Sequence, residues 1–221
     1  MPKYIAVFFF IIFIVISLPI NAASYHVEAK AEHETWRSTG LAGEASAVLF
    51  GLSFGYYENS YFSGVGFVVG DYDVDESGNE LKRLDVDAVV GYRLDKQYSI
   101  IAGYRLNNVT YDTSSTKSEE AVHGLGVGLV YQQHLFKNTT GFGLITGGVL
   151  YSQLEYDDND GSHSEDGQGF SMGTEAGVLY RITQHIDSAI RLKSQTNRLS
   201  YSNSNWSHSY FRLGLNLSYA F

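Results

Sequence analysis

The sequence predicts an all-β protein, a transmembrane antiparallel up-and-down β-barrel of about ten strands that follows a cleaved signal peptide. The closing stretch, residues 211–221, places apolar side chains at every odd position and Arg212, Gly214, Asn216, Ser218 and Ala220 at the even ones. A period of two puts the two sets on opposite faces of a strand. The same alternation recurs along the chain. Both prolines fall within the first twenty residues, so no later proline interrupts strand pairing.

The first segment predicts a secretory signal peptide, residues 1–23, ahead of a barrel domain, residues 24–221. Lys3 precedes an apolar run over 4–20, Pro19 breaks the end of that run, and small residues follow, so cleavage is expected after Ala22 or Ala23. The alternative is a permanent helical anchor, but the run is a little shorter than the roughly 20 residues that a spanning helix needs. Removing Lys3 from the 15 basic residues leaves 14 against 24 acidic ones, so the mature domain is acidic.

Composition narrows the class further. The chain has no cysteine, which excludes a disulfide scaffold and a thiolate metal site, and no cofactor is expected. It is rich in Tyr (17), Phe (13) and Gly (23), which suits strands with aromatic belts and crowded, small-residue interiors. Nucleic acid is not an expected partner, because the domain is acidic and its cations are predicted to point inward.

Ten alternating segments follow the signal peptide. The first has the weakest apolar face, with His26, Glu28, Lys30 and Glu32 opposite it, and eight strands is the alternative if this segment is not part of the wall. The predicted lipid-facing residues, in strand order, are Tyr25, Val27, Ala29 and Ala31; Val48, Phe50, Leu52, Phe54 and Tyr56; Tyr61, Val65, Phe67 and Val69; Leu84, Val86, Ala88, Val90, Tyr92 and Leu94; Tyr98, Ile100, Ala102, Tyr104 and Leu106; Leu125, Val127, Leu129 and Tyr131; Phe142, Leu144 and Leu150; Phe170, Met172, Ala176, Val178, Tyr180 and Ile182; Ile186, Ile190 and Leu192; and the odd residues of 211–221.

The connections alternate between short and long. Residues 58–60, 95–97, 134–140 and 183–185 are predicted as periplasmic turns, and 37–40, 73–80, 112–118, 156–168 and 201–207 as extracellular loops. Aromatic residues would then form two belts at the membrane interfaces. The periplasmic belt would contain Tyr56, Tyr61, Tyr92, Tyr98, Tyr131, Phe142, Tyr180 and Phe221, and the extracellular belt Trp36, Tyr72, Tyr111, Tyr151, Phe170, Tyr201, Trp206 and Tyr210.

This pattern, with a terminal Phe221 and Tyr219 two residues before it, resembles the small outer-membrane β-barrels of Gram-negative bacteria, of the OmpA/OmpX-like or Opa/Ail adhesin-like type. Its strand count is also similar to that of the ten-stranded omptin proteases. The resemblance implies a monomer in the outer membrane that contacts lipid and lipopolysaccharide. It also implies that Tyr219 and Phe221 form the signal read by the barrel assembly machinery. The implied role is structural or adhesive, with acidic extracellular loops meeting a host factor, another extracellular ligand or lipopolysaccharide.

Charged residues share the inward parity of the predicted strands. A charge inside a narrow barrel is costly unless it is paired, so we expect a salt-bridge network that fills the lumen. A narrow porin-like channel lined by the same charges is the alternative, although barrels of this size leave little free lumen. The predicted network consists of Arg83, Asp85, Asp87, Arg93, Arg105, Glu120, Glu175, Arg181, Asp187, Arg191, Lys193 and Arg212.

Two extracellular loops concentrate carboxylates. Asp157, Asp158, Asp160 and Glu165 are weak candidates for a Ca²⁺ or Mg²⁺ site, because oxygen ligands suit these ions. Neither loop matches the calcium-binding helix–loop–helix pattern, so a solvated, mobile loop is the simpler interpretation, with bridging of cations to lipopolysaccharide phosphates as the alternative.

A rim hydrolase is the remaining class, either an omptin-like protease or a lipid A deacylase. Such a site needs a histidine beside carboxylates, with a serine for the deacylase, and His123, His163 and His208 are predicted near the outer ends of strands. No motif of either enzyme can be matched residue by residue. The expectation is therefore that the protein is not an enzyme and that these histidines are surface or belt residues.

Overall fold

The computed structural model describes residues 24–39, 44–72, 80–113, 116–158, 161–202 and 204–221. The predicted signal peptide, residues 1–23, lies outside this range. The described residues form ten strands: β1 (Ser24–Ser38), β2 (Glu44–Glu58), β3 (Tyr61–Tyr72), β4 (Glu80–Arg93), β5 (Tyr98–Asp112), β6 (Lys117–Phe136), β7 (Thr139–Asp158), β8 (Gly161–Arg181), β9 (Ile186–Ser200) and β10 (Asn205–Ala220). None of the described residues forms a helix long and apolar enough to cross a bilayer.

Each strand pairs antiparallel with the next, and β1 pairs with β10, so the sheet closes into a barrel. At the seam, the backbone N–H of Tyr25 donates to Phe221 over 3.1 Å, and the N–H of Phe221 donates back over 3.0 Å. The predicted ten-stranded meander is therefore confirmed. The eight-strand alternative is wrong, because β1 is part of the wall despite its thin apolar face.

The outward faces follow the predicted parity in nine of the ten strands. In β2, Phe50 is 61% exposed whereas its neighbour Leu49 is 1% exposed, and β10 repeats this contrast between Leu215 and Arg212. Exposed Val, Leu, Ile and Phe side chains therefore ring the closed barrel. Such a band belongs in hydrocarbon rather than in water.

Strand β7 is the exception, and the prediction for it is wrong. Phe142, Leu144 and Leu150 face the lumen, and Ile145 and Val149 face outward. The register with β6 explains the difference. Val149 pairs with Leu125, and Ile145 pairs with Leu129, and both of these β6 residues face outward. Both parities of β7 carry apolar residues, so alternation alone could not choose between them.

Of the two predicted aromatic belts, the structure shows one at the periplasmic end but not the one at the extracellular end. At the periplasmic end, exposed aromatic residues do collect, including the edge-packed pair Tyr61 and Tyr92 with ring centroids 4.9 Å apart. The predicted extracellular belt is mostly wrong. Only Tyr151 and Phe170 face outward; Trp36, Tyr72, Tyr201 and Tyr210 are buried in the lumen, and Tyr111 and Trp206 pack against them half-buried. Five of these six residues have the inward parity of their strands, and Tyr201 directly follows the last residue of β9.

Several connections are tighter than predicted. The loop expected over 156–168 is mostly a hairpin, because β7 continues to Asp158 and pairs with β8 from Gly161 onward. The ring of Tyr156 stacks on His163 across this hairpin at 5.0 Å. The connection expected over 134–140 shrinks to a turn at Lys137 and Asn138, preceded by a bulge. Most of the predicted loop 73–80 lies outside the described residues.

The buried apolar residues fill the outer half of the lumen in two clusters, which we call the outer plug. The first contains Trp36, Ala45, Ala47, Leu49, Val68, Tyr72, Leu81, Val109 and Tyr210; the second contains Val122, Leu150, Leu154, Leu199 and Tyr201. The two clusters lie on the strand segments nearest the extracellular connections. The inner half has glycines at lumen-facing positions such as Gly64, Gly91, Gly103 and Gly128, and these positions are half-buried.

Candidate functional site

A charged cluster on β1, β4 and β10 lies against the outer plug. Glu34 is 0% exposed and accepts hydrogen bonds from Tyr72, Arg83 and Arg212, with Arg83 Nη1 at 2.7 Å. Asp85 accepts from Arg83 Nε at 2.7 Å and also from Arg212. Two guanidinium groups and two carboxylates therefore neutralise one another while buried from solvent. The cluster also fixes the relative positions of the three strands.

One layer further in, Arg105 spans the lumen. Its Nε is 2.5 Å from Asp87, and its Nη1 donates to Gln195 on the opposite side of the barrel and to Tyr210 over 3.1 Å. The Tyr210 ring is itself covered by Arg83 and Arg212, with guanidinium carbons 4.6 Å and 4.7 Å from its centroid. This contact adds a cation–π interaction to the ion pairs.

The inner charges form a separate group that is partly exposed. Arg191 contacts Glu28 at 2.7 Å and Glu175 at 3.4 Å, and Lys30 contacts Glu28 at 3.4 Å. The Arg191 side chain is 27% exposed, against 3% for Arg83. The inner group is therefore accessible to solvent, whereas the cluster around Glu34 is not.

Glu120 lies at the outer end of the lumen beside His208. His208 Nε2 is 3.0 Å from the Glu120 carboxylate, which also accepts from Tyr201; the Tyr201 hydroxyl is 2.5 Å from Ser152. Trp36 stacks on the His208 ring at 5.6 Å, and Trp206 meets it edge-on at 6.1 Å. Glu120 is thus a buried carboxylate whose basic neighbour among the described residues is a histidine, not an arginine or lysine.

The structure places the predicted lumen charges at three depths. Arg83, Asp85, Glu120 and Arg212 are buried, and Arg105, Asp87, Glu175, Arg191 and Lys193 are partly exposed at mid-barrel. Arg93, Arg181 and Asp187 lie at the periplasmic rim, where Arg181 contacts Asp187 at 3.3 Å with its side chain 61% exposed.

The predicted network lacked Glu34, which at 0% exposure is the most buried acid of the described residues, and also Glu28, Tyr72 and Tyr210. The signal for Glu34 was available, since it has the even parity of the other inward residues of β1.

The candidate metal ligands do not converge. Asp157 has outward parity on β7 and Glu165 has inward parity on β8, so the hairpin separates them. The side chain of Asp158 and all of Asp160 lie outside the described range. In the described part of the chain, no group of three or more His, Cys, Asp or Glu residues could hold a metal ion.

The three candidate histidines also lie apart. His123 is on the outer wall and stacks on Tyr151 at 5.9 Å, as expected for a belt residue. His163 is on the β7–β8 hairpin against Tyr156. His208 is 4% exposed inside the barrel, so the expectation that it lies on the surface is wrong.

Comparison with solved structures identifies the fold. The chain is similar to Neisserial surface protein A, with 14% identity, a TM-score of 0.51, and alignment of 90% of this chain with 99% of that one. It is also similar to the outer membrane protease OmpT from Escherichia coli, with 10% identity, a TM-score of 0.58, and coverage of 93% and 99%. No protein-family model matches the sequence. No curated protein matches it significantly. At these identities the likeness concerns the fold.

The fold and the exposed apolar band together define the class. This closed antiparallel barrel pairs every strand with two neighbours and presents apolar side chains to its surroundings, which is what a strand-built protein needs in a bilayer. The chain is therefore an outer-membrane β-barrel protein, with the fold shared by Gram-negative outer-membrane barrels.

Proposed function

We propose that this barrel acts as a surface-contact protein, and that the hairpin formed by β7 and β8 meets an extracellular ligand. The observation that carries this proposal is a stretch of β8 at the extracellular rim that extends beyond its ladder with β9. Strand β8 pairs with β7 from Gly161, but β9 joins its other edge only at Gln168. Residues 162–166 therefore pair with β7 along one edge and lie beyond the end of the β8–β9 ladder along the other.

A strand edge of this kind can bind an extended peptide through backbone hydrogen bonds. Asp157 and Asp166 are exposed on this hairpin, and Glu165 is half-buried beside them. A basic, extended segment of a host or neighbouring-cell protein fits this chemistry best. Lipopolysaccharide phosphates fit it less well, since they repel carboxylates unless a divalent cation bridges the two.

The closed outer half supports the same role. The outer plug and the charged cluster around Glu34 fill the lumen behind the hairpin, which gives it a rigid base. A narrow channel would need these groups to move. We therefore expect planar-bilayer conductance near zero, with no change on replacing Arg83 or Arg191 by Gln.

The proposal includes a monomer held by lipid and lipopolysaccharide, and assembly through the terminal strand. Tyr219 and Phe221 are 50% and 64% exposed at the periplasmic end of the seam, where the assembly machinery could bind them before closure. We do not assign an enzymatic activity, because the three rim histidines do not share a site.

Adhesion of fluorescent proteoliposomes to epithelial cell monolayers tests the proposal. We expect the refolded protein to increase binding over empty liposomes, and the triple substitution Asp157→Asn, Glu165→Gln and Asp166→Asn to remove most of the increase. The matched control is Glu44→Gln, Glu80→Gln and Asp112→Asn, which removes three exposed acids from the same rim outside the hairpin. No increase over empty liposomes, or an equal loss in both triple variants, would contradict the role of the hairpin.

A further inference from the structure

The lumen contains a cavity of about 260 Å³ at mid-barrel, inward of the outer plug. Its two walls differ in chemistry. On the arc formed by β9, β10 and β1, it is lined by Arg191, Lys193, Arg212 and Lys30, together with the carboxylate of Glu32. The arc from β5 to β8 is mostly apolar and small, with Ile101, Leu144, Leu150, Gly103, Gly126 and Gly173, and it also carries Arg105 and Glu175. A cavity with one mainly cationic and one mainly apolar wall suits an amphiphilic anion.

Most of the lining cations already have carboxylate partners. Lys30 and Arg191 share Glu28, Arg191 also reaches Glu175, and Arg212 contacts Glu32 at 3.2 Å in addition to its buried partners. Lys193 differs. In the described part of the chain, no carboxylate lies at ion-pair distance from its ammonium, which sits 5.8 Å from the centroid of the Tyr210 ring. The nearby Asp87 is paired with Arg105.

A second donor in the same wall lacks an acceptor. Arg191 Nε is buried and has no hydrogen-bond partner, although the two terminal nitrogens of this guanidinium are paired. A buried donor without an acceptor is costly. The Lys193 ammonium and the Nε–H of Arg191 thus remain available to bind one acceptor group that carries a single negative charge.

Access to the cavity is from the periplasmic side. The outer plug and the cluster around Glu34 close the extracellular side, whereas the inner group is partly exposed and the lumen-facing Tyr57, near the periplasmic turn, is 42% exposed. A small solute can therefore reach the cationic wall without displacing the plug.

We propose that this cavity binds a small monocarboxylate with an apolar body. The carboxylate contacts Lys193 and Arg191, and the body lies against the glycine-rich wall. The volume is adequate, since an apolar cavity of roughly 150 Å³ accepts benzene. A single unpaired cation favours a monoanion over a phosphate or a dicarboxylate. This site is independent of the surface-contact role.

The test uses 4-fluorobenzoate as the probe and the full barrel refolded in lipid nanodiscs, with binding followed by ¹⁹F NMR line broadening. We expect saturable binding of 4-fluorobenzoate and at least tenfold weaker binding of 4-fluorobenzyl alcohol, which has the same ring and no charge. This comparison needs no variant. Lys193→Met should raise the Kd about tenfold or more, because one charge-assisted contact is lost. Lys137→Met, the same change in an exposed turn, should leave it unchanged.

Ser171→Leu, which adds volume at the cavity lining, should also weaken binding. Folding of each variant is checked by its heat-modifiable mobility on gels. The inference is overturned by an absence of saturable binding, by equal affinity for the acid and the alcohol, or by wild-type affinity in folded Lys193→Met.

Discussion

The outer half of the lumen is packed like a protein core, whereas the inner half is lined by glycine and by charges that water reaches. Both halves carry ion pairs, but those around Glu34 are fully buried and those around Arg191 are not. An arginine–glutamate ion pair therefore has a different energetic role at each depth. Next to the outer plug, loss of one partner leaves the other as an unsolvated charge. Near the periplasm, water solvates the charge that remains.

The difference between the two halves predicts the largest effect on the free energy of unfolding when a single carboxylate is replaced. Glu34→Gln should lower the free energy of unfolding by about 3–5 kcal/mol, because Arg83 and Arg212 then lose a buried countercharge. Glu175→Gln should cost less than about 1 kcal/mol, since Arg191 keeps Glu28 and is reached by water.

Denaturant titration in lipid vesicles measures both variants by tryptophan fluorescence. Trp36 and Trp206, the two tryptophans of the chain, lie in or against the outer plug, so the signal reports on that half. Equal losses for Glu34→Gln and Glu175→Gln would mean that the inner half is as dry as the outer half.

The second prediction concerns apolar packing on the two faces of one strand. Leu49 is 1% exposed in the plug, and Leu52 is 39% exposed toward lipid. Leu49→Ala should cost about 3 kcal/mol because it leaves a cavity, and Leu52→Ala about half as much because lipid chains fill the space. The same denaturant titration provides the measurement. A larger loss for Leu52→Ala would show that the plug is loosely packed.

The third prediction compares Glu120 with Glu34, two of the buried carboxylates of the outer half. Glu120→Gln should cost about 1–2 kcal/mol, less than Glu34→Gln, because Tyr201 and Ser152 can still donate to an amide oxygen. His208→Phe should keep the stacking with Trp36 but remove the contact between His208 Nε2 and the Glu120 carboxylate. In a double-mutant cycle, we expect a coupling energy of at least about 1 kcal/mol between the two sites. Additive losses would mean that the contact contributes nothing to stability.

The wall of the barrel could be predicted from the sequence because lipid imposes a period of two on every strand. Strand count, closure and the outward faces of nine strands followed from that rule. The contents of the lumen could not be predicted in the same way. The rule equates apolar with lipid-facing, so it misplaced Leu150 and Phe142, and it assigned Trp36, Tyr72 and Tyr210 to a membrane belt although their parity was inward.

The site was predicted in composition but not in arrangement. Parity alone placed Arg83, Asp85 and Arg212 inside, but their contact depends on the register of β1, β4 and β10, strands far apart in sequence. The hairpin of β7 and β8 could not be predicted from composition, because polar, acidic residues are typical of a loop. Once a ladder has begun, its backbone hydrogen bonds do not require apolar side chains.

The smallest expected effect on stability comes from Asp95, which lies outside the lumen and serves as a control for the lumen substitutions. Asp95, in the periplasmic turn after β4, accepts hydrogen bonds from the backbone N–H groups of Gln97 at 2.6 Å and Tyr98 at 2.7 Å, and these bonds lower the pKa of its carboxyl. A carboxyl whose pKa is lower in the folded state stabilises the fold above its unfolded pKa of about 3.9, and this contribution is lost as pH falls through the folded value. Asp95→Ala should therefore shift the unfolding midpoint slightly at pH 7 and less at pH 3. A difference in unfolding midpoint between wild type and Asp95→Ala that grows toward acid pH would contradict this assignment. Any loss of stability at acid pH that persists in Asp95→Ala belongs to carboxylates elsewhere, including those of the lumen.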